Sequence, residues 1–240
     1  MADESKTALA ARLLHDLQHN EELRQKPVAG VELDPQLVAL RTWQSRRLAH
    51  TYTDLLDDPQ AGAAMRFFLS DIYAPRDFSQ RDHDIERVYA FLSHLLPTQT
   101  LQVLSDSIAL NHLSNELDIA LCQALAAQGA GAITGERYVA GYRTCANYDA
   151  RDYQIDLLAK VLRKVAVGSR MRVVSFAMLV AGGPARSAGW IELYDFLERG
   201  YSAFRQLRDA EAFISNIEQH ERTILKQIFF EATNPFRDFE

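Results

Sequence analysis

Apolar residues recur at intervals of three and four positions along most of the chain, and this spacing is the strongest constraint on its fold. The clearest case is Ile214, Ile217 and Ile224, which fall on one face of a helix near the end of the sequence. Residues that break helices, such as Pro59 and the GAGAITG segment at 129–135, stand between these periodic segments. No run alternates apolar and polar residues for long enough to predict a strand. The sequence therefore predicts an all-α protein, a multi-helix bundle of about nine helices with no significant β-sheet.

Several helix ends are marked by capping residues. Asp34 followed by Pro35 predicts a helix start, because an aspartate caps free backbone N–H groups and proline fits the first helical position. Thr134 predicts the start of a shorter helix further along the chain. Between them, a long helix is predicted to open at Pro97 and to continue to about Gln128.

The chain is predicted to form a single compact domain, because it has no linker rich in Pro, Gly and Ser and no repeat of fixed period. Its 240 residues are long for an average domain but lie within the range of one large domain. We divide the chain into an N-terminal helix and connector (1–33), a helical bundle (34–233) and a C-terminal tail (234–240). The sequence leaves open whether the tail docks on its own domain or on a neighbouring molecule.

The composition favours a cytoplasmic location. The first residues, MADESKTALA, lack the basic region and apolar run of a secretory signal. The longest apolar stretch, Val173 to Ala181, is too short to span a bilayer, so no membrane partner is predicted. Cys122 and Cys145 form neither a CxxC pair nor a metal-binding spacing, and a disulfide framework needs more cysteines.

The net charge of −6 argues against a nucleic-acid partner, because neutralising phosphates requires a basic surface. One basic cluster, formed by Arg163, Lys164, Arg170 and Arg172, surrounds a predicted turn between helices. Cations are favoured at helix C-termini and at solvated corners, and we prefer this explanation to a phosphate-binding site.

Charged and polar residues that interrupt apolar helix faces are the main functional signal in the chain. Glu221 lies within the stripe of the last helix, and His220 stands beside it. Asp118 follows Asn115 along the flank of the apolar stripe of the long helix. A carboxylate in such a position needs a cation, a set of hydrogen bonds or a metal, or else it takes up a proton.

Further polar residues are predicted to face the interior. Arg151 is aligned with the apolar positions of its helix, and Gln154 shares a face with Leu158. Glu198 stands between Tyr194 and Tyr201, about one helical turn from each, and Arg81 and Asp82 lie at the start of a predicted helix that begins at Ser79. The complete set of predicted ligand-binding or buried polar residues is Glu221, His220, Asp118, Arg151, Glu198, Gln154, Arg81 and Asp82.

Two interpretations of this set remain open. The first is a structural network of buried ion pairs that joins helices, in which arginine serves because its planar guanidinium binds carboxylates in a fork. The second is a polar pocket between helices, the place where helical bundles usually hold ligands. We weight the structural network more heavily, because ion pairs of this kind perturb carboxylates without any catalytic role.

Most catalytic motifs are missing from the sequence. A di-iron bundle requires a Glu-x-x-His element on two helices, and the chain contains none. No Gly-x-Gly-x-x-Gly, Walker loop or Gly-x-Ser-x-Gly occurs either. We therefore predict no cofactor and no standard metal site. A non-standard metal site would have to use His220, Glu221, Asp118 and Glu198, which requires separate helices to converge.

Three segments of the chain look like the signature of a family: FFLSDIYAPRDFSQRD at 67–82, FLERGYSAFRQL at 196–207 and NIEQHERTIL at 216–225. They resemble a family of uncharacterised bacterial all-helical proteins, and the resemblance covers about residues 35–230. It implies a helical fold and a bacterial source, and it assigns no activity and no site residue.

The functional hypothesis from the sequence is a module that binds a small molecule or a protein partner through a polar pocket between helices. The alternative is a metal-dependent, oxidase-like enzyme with iron or manganese held in the same bundle. Whether the chain is an enzyme, which ligand it binds and whether it forms a homodimer are left open by the sequence.

Overall fold

The computed structural model describes residues 34–72, 98–172, 174–175, 178, 191–231 and 234–239. Eight α-helices lie in this part of the chain, together with one π-helical turn at Phe68–Ile72 and one 3-10 turn at Arg237–Phe239. The α-helices are α1 (Pro35–Thr51), α2 (Thr53–Asp57), α3 (Gly62–Phe67), α4 (Thr98–Ala127), α5 (Gly135–Cys145), α6 (Tyr148–Gly168), α7 (Ile191–Gln206) and α8 (Ala210–Phe230).

The all-α prediction is confirmed, since no strand occurs among the described residues. The predicted helix starts are confirmed where the structure covers them. Asp34 caps α1 by accepting from Gln36 N at 2.9 Å, and Thr134 caps α5 by accepting from Arg137 N at 3.3 Å. The predicted helices near residues 6–24 and 79–95 lie outside the described residues.

One predicted helix is divided in two. The periodic spacing after Asp34 continues to about Leu56 and by itself predicts one helix, but the backbone leaves helical geometry at Tyr52, with φ −112° and ψ 32°. Thr51 and Thr53 flank the break, and β-branched residues have weak helix propensity. The break matters for the interior, because Tyr52 is buried and its hydroxyl reaches α8.

Two apolar clusters form the core, and α1, α4 and α8 each contribute buried residues to both. The first cluster packs α2, α3 and α7 against the middle of α6 and the first half of α8, around Phe68, Phe204 and Ile214. The second packs α1, α4 and α5 against the second half of α8. On α8, Ile217 belongs to the first cluster and Ile224 to the second. Glu221 stands between them, and this junction is where the polar site lies.

The basic cluster predicted from the sequence has structural partners. Arg163 binds Glu211 and Glu218 on α8, and Lys164 binds Asp106 on α4 at 2.6 Å. Arg170 donates to the backbone carbonyls of Leu207 and Arg208 at the end of α7. These contacts agree with our preference for the structural explanation, because the cations join helices and cap a helix C-terminus.

The segment 234–239 docks on its own domain, which answers the question that the sequence left open. Phe236 and Phe239 meet the Trp43 ring edge-on, with ring centroids 5.4 and 5.3 Å away. Phe236 is buried and also packs against Tyr138.

Among the helices that the structure describes, none combines the length and the apolar character needed to cross a membrane.

Candidate functional site: a polar cavity between helices

A cavity of about 80 Å³ lies between α1, α4, α5, α6 and α8, and Phe236 closes one side of it. One part of its wall is apolar and includes Leu158, Ile224 and Ile228. The rest is polar and carries charge, from Gln44, Arg47, Asp118, Arg151, Gln154 and Glu221. Such a combination is typical of small-molecule sites, where apolar walls surround a few placed polar groups.

The ion pair between Glu221 and Arg47 joins α8 to α1. Glu221 faces inward because it lies four residues after Ile217 and three before Ile224, and Arg47 faces inward because it lies four residues after Trp43. Arg47 Nη1 donates to Glu221 Oε1 at 2.6 Å, and Nη2 donates to Oε2 at 3.1 Å. The two side chains are 8% and 16% exposed, so this is a bidentate and largely buried salt bridge.

Arg47 keeps its positive charge inside the protein. Burial by itself would lower the pKa of Arg47, but the attraction and hydrogen bonds of Glu221 outweigh burial, and the pKa lies above its ordinary value. The Tyr52 hydroxyl adds a further hydrogen bond to Glu221 Oε1, at 2.8 Å. The Arg47 and Glu221 side chains are therefore held in place by three hydrogen bonds.

One donor of this pair has no acceptor among the described residues. Arg47 Nε is buried and forms no hydrogen bond, while Nη1 and Nη2 are occupied by Glu221. A buried donor without an acceptor costs about 1–3 kcal/mol, and a charged donor costs more. Because Arg47 lines the cavity, an acceptor group bound there would recover part of that free energy.

Asp118 forms a second buried ion pair on the α1–α4 side of the cavity. Arg41 Nε donates to Asp118 Oδ2 at 3.3 Å, and Gln44 Nε2 donates to Oδ1 at 3.2 Å. Arg41 also donates to Asn115 Oδ1. Asn115 and Asp118 are both buried, which agrees with their predicted position along the flank of the apolar stripe of the long helix.

Arg151 supplies the positive charge on the α6 side. Its Nη2 donates to the Leu117 carbonyl at 2.9 Å, and its Nη1 donates to Gln154 Oε1 at 3.2 Å. The guanidinium lies over the Tyr142 ring, 4.5 Å from the ring centroid, which is cation–π geometry. Gln154 in turn donates to Ser114 Oγ at 2.7 Å. These contacts hold Arg151 against the wall of the cavity.

Two tyrosines complete the polar lining. The Tyr138 hydroxyl donates to the Tyr142 hydroxyl at 3.0 Å and accepts a weak bond from Gln44 Nε2 at 3.4 Å. Burial raises the pKa of Tyr138 well above its ordinary value, because the phenolate would lose its solvation. Tyr138 therefore remains protonated at physiological pH and contributes no charge to the cavity.

Four of the residues that the sequence pointed to line the cavity together, namely Glu221, Asp118, Arg151 and Gln154. Glu221 binds a cation from another helix, which is one of the partners that its position left open, and buried salt bridges are confirmed. The ligand-binding role of these residues stays a prediction. Arg81 and Asp82 lie outside the described residues.

Two placements predicted from the sequence are wrong. His220 and Glu198 were expected to face the interior, and both are exposed. The buried face of α7 runs through Gly200, Ala203 and Phe204 rather than along the tyrosine row that includes Glu198. His220 is rotated about 100° around the helix from Glu221, since consecutive helical residues differ by that angle. Its ring packs against Tyr52 in T-shaped geometry and does not line the cavity.

The α1 side chains that bind the buried carboxylates were not predicted from the sequence. Arg41, Gln44 and Arg47 bind the two buried carboxylates, and they lie in a segment that also contains the exposed Arg46. The sequence does indicate that Arg47 faces the interior, because this residue lies seven positions after Leu40 and four after Trp43, on the apolar stripe of α1.

The structure also bears on the metal alternative. Within the described ranges, no group of three or more His, Cys, Asp or Glu side chains is arranged to hold a metal ion. The four residues named for a non-standard site are not brought together around the cavity, because Glu221 and Asp118 line it while His220 and Glu198 do not.

The fold and the site together define the class of protein, which is a helical domain whose core contains a small cavity lined by buried ion pairs. A family model described as a domain of unknown function (DUF8198) matches residues 23–235, and the chain belongs to that family. The match agrees with the resemblance to an uncharacterised family and assigns no activity. Searches of curated proteins and of solved structures found no match to the chain.

Proposed function

We propose that this domain is a binding module whose ligand is a small molecule held in the cavity between α1, α4, α5, α6 and α8. The observation that carries the proposal is the Arg47 side chain, which lines the cavity with a buried Nε donor that has no acceptor among the described residues. A purely structural ion pair has no need of a cavity beside it, and a buried polar group is normally satisfied.

The geometry of the lining supports a preorganised site. Glu221 holds both terminal nitrogens of Arg47, and Asp118 is held by Arg41 and Gln44, so the charges keep their positions without a ligand. Fixed polar groups lower the entropy cost of binding, because fewer side chains must be ordered when the ligand arrives.

The size of the cavity limits the ligand. Its volume of about 80 Å³ is well below the roughly 300–1,000 Å³ of pockets that take drug-sized molecules. The ligand is therefore a compact molecule of a few non-hydrogen atoms, with an acceptor for Arg47 and an apolar part that faces Leu158, Ile224 and Ile228. The metal-dependent alternative has no comparable support, because two of its four residues lie outside the cavity.

The test is a screen of compact soluble fragments by NMR, with the isoleucine methyl groups of the full chain labelled. Binding in the cavity should shift the methyl resonances of Ile155, Ile224 and Ile228, which line it. The methyl resonance of Ile214, in the other core cluster, should stay unchanged. A screen in which no fragment shifts the three cavity methyl groups would refute the proposal.

A matched pair of variants checks the location. Ile155→Phe puts a larger side chain into the cavity wall and should abolish fragment binding. Val165→Phe adds a larger volume on the same helix but outside the cavity, and it should leave binding intact. Each variant carries an overpacking cost of about 1–3 kcal/mol, so both should be checked for folding by circular dichroism. Equal loss of binding in both would argue against the cavity as the site.

A further inference from the structure

The C-terminal segment 234–239 forms a wall of the cavity through Phe236. The ring of Phe236 lies over the side chain that carries the proposed function, with its centroid 5.7 Å from Cζ of Arg47. The other walls come from helices of 11 to 30 residues, which backbone hydrogen bonds support along their length. The segment contains only a single 3-10 turn, at Arg237–Phe239. It is therefore the wall with the least secondary structure to support it.

The hydrogen bonds of the segment stay within it. Phe236 N donates to Asn234 Oδ1 at 2.9 Å, and Phe239 N donates to the Phe236 carbonyl at 3.0 Å. In the described part of the chain, no hydrogen bond or ion pair joins the segment to a helix. The segment can therefore leave the helices without breaking a hydrogen bond between them.

Two phenylalanine rings hold the segment against the helices. Phe236 contacts Trp43 and Tyr138, with ring centroids 5.4 and 5.5 Å away. Phe239 contacts Trp43 at 5.3 Å and His50 at 5.6 Å. A short segment that depends on a few side-chain contacts opens more readily than a packed helix.

The end of α8, from which the chain continues to the segment, has a separate support. Arg143 on α5 donates to the backbone carbonyls of Ile228 and Glu231. These bonds hold the last turn of α8 in place when the segment moves. The wall formed by Ile224 and Ile228 therefore keeps its position while Phe236 leaves it.

We propose that segment 234–239 is a gate, which leaves the helices to let a ligand enter or leave the cavity and then docks again. The inference rests on the proposed function, since it concerns access to the same cavity. A wall that must move before both entry and release slows the two steps together. It leaves the affinity unchanged where the ligand touches no altered group, because the free and the bound protein are affected equally.

The experiment uses Phe239→Ala in the full chain, because Phe239 holds the segment but does not line the cavity. Butanone is the probe, a compact molecule with one acceptor oxygen and an apolar part. NMR exchange measurements on the methyl groups of Ile224 and Ile228 give its association and dissociation rate constants. If butanone does not bind, the smallest fragment of the screen that does takes its place.

Phe239→Ala should raise both rate constants about tenfold, which corresponds to 1.4 kcal/mol of lost docking. The dissociation constant, which is the ratio of the two, should stay the same within about twofold. Phe239→Leu keeps part of the apolar contact, so it should raise both rate constants by a smaller factor. This variant decides the question if Phe239→Ala fails to fold.

Phe230→Ala serves as the matched control, because Phe230 is an exposed phenylalanine at the end of α8 that does not line the cavity. It should leave both rate constants unchanged, and an equal rise in this control would refute the gate. Rate constants that Phe239→Ala leaves unchanged, or a rise in dissociation alone, would also refute it, while the proposed function would stand. If no probe or fragment shifts the cavity methyl groups in either chain, both proposals are wrong.

Discussion

Replacing Glu221 with alanine leaves the Arg47 guanidinium, which is 8% exposed, without its carboxylate. The variant removes both bonds of the bidentate pair and one acceptor of the Tyr52 hydroxyl. Arginine does not lose its proton in proteins, so the charge cannot be relieved by deprotonation. The cost must therefore appear as a loss of folding free energy.

The expected loss is about 3–5 kcal/mol, the range observed when one partner of a buried pair is removed. The low exposure of Arg47 supports a value within this range rather than below it, because little water can reach the uncompensated charge. For a chain of this size, such a loss lowers the melting temperature by roughly 10 °C. Urea denaturation followed by circular dichroism measures the free energy of unfolding directly.

The double variant Arg47→Met/Glu221→Met separates the ion pair from the packing. Replacing both charges with apolar side chains of similar size should be far less destabilising than Glu221→Ala, since apolar replacements of whole buried pairs are often neutral or stabilising. Glu116→Ala is the exposed control, because the Glu116 side chain is 47% exposed, and it should change stability by about 0.5 kcal/mol or less. A Glu221→Ala variant as stable as the Glu116→Ala control would refute the reasoning.

Gly200→Ala should destabilise the fold by about 1–3 kcal/mol, because the added Cβ would lie 2.7 Å from Phe67 Cζ. In Gly168→Ala the added Cβ would meet no atom within 4 Å, so this variant should be neutral or stabilising by up to about 1 kcal/mol. Urea denaturation measures the free energy of unfolding of both variants, and a loss of stability in both would contradict this account. Burial, assisted by Asp118, raises the pKa of the Cys122 thiol to about 12. Iodoacetamide at pH 8 should therefore label Cys122 far more slowly in the native protein than in the urea-unfolded protein, and mass spectrometry measures the difference. Stability contributed by this thiol is present below the unfolded-state pKa and is lost as pH rises towards 12. Phe236→Ala should cost about 3–5 kcal/mol in urea denaturation, since Phe236 is buried against Trp43; a cost below 1 kcal/mol would mean that the segment 234–239 contributes little to the domain.

Helix positions and inward faces could be predicted from the sequence where the signal is local. Asp34 and Thr134 were identified as caps because capping depends on a few neighbouring residues. Glu221 was assigned to the interior because its apolar neighbours at three and four positions define the buried stripe. The same method failed for Glu198, because the tyrosine row was taken as the inward face of α7, whereas the buried face runs through Gly200, Ala203 and Phe204 on the other side of the helix.

The sequence by itself determined that the protein is helical, where several of the helices start, and that a few charges must lie inside it. Only the tertiary structure decided which groups those charges meet. Glu221 pairs with Arg47, 174 positions away, although arginines closer in the sequence were equally available by pattern. Periodicity reports which side of a helix is buried, because it reflects contacts within one or two turns. It carries no information about which helix packs opposite, and the cavity exists only because several helices bring two apolar clusters together around Glu221.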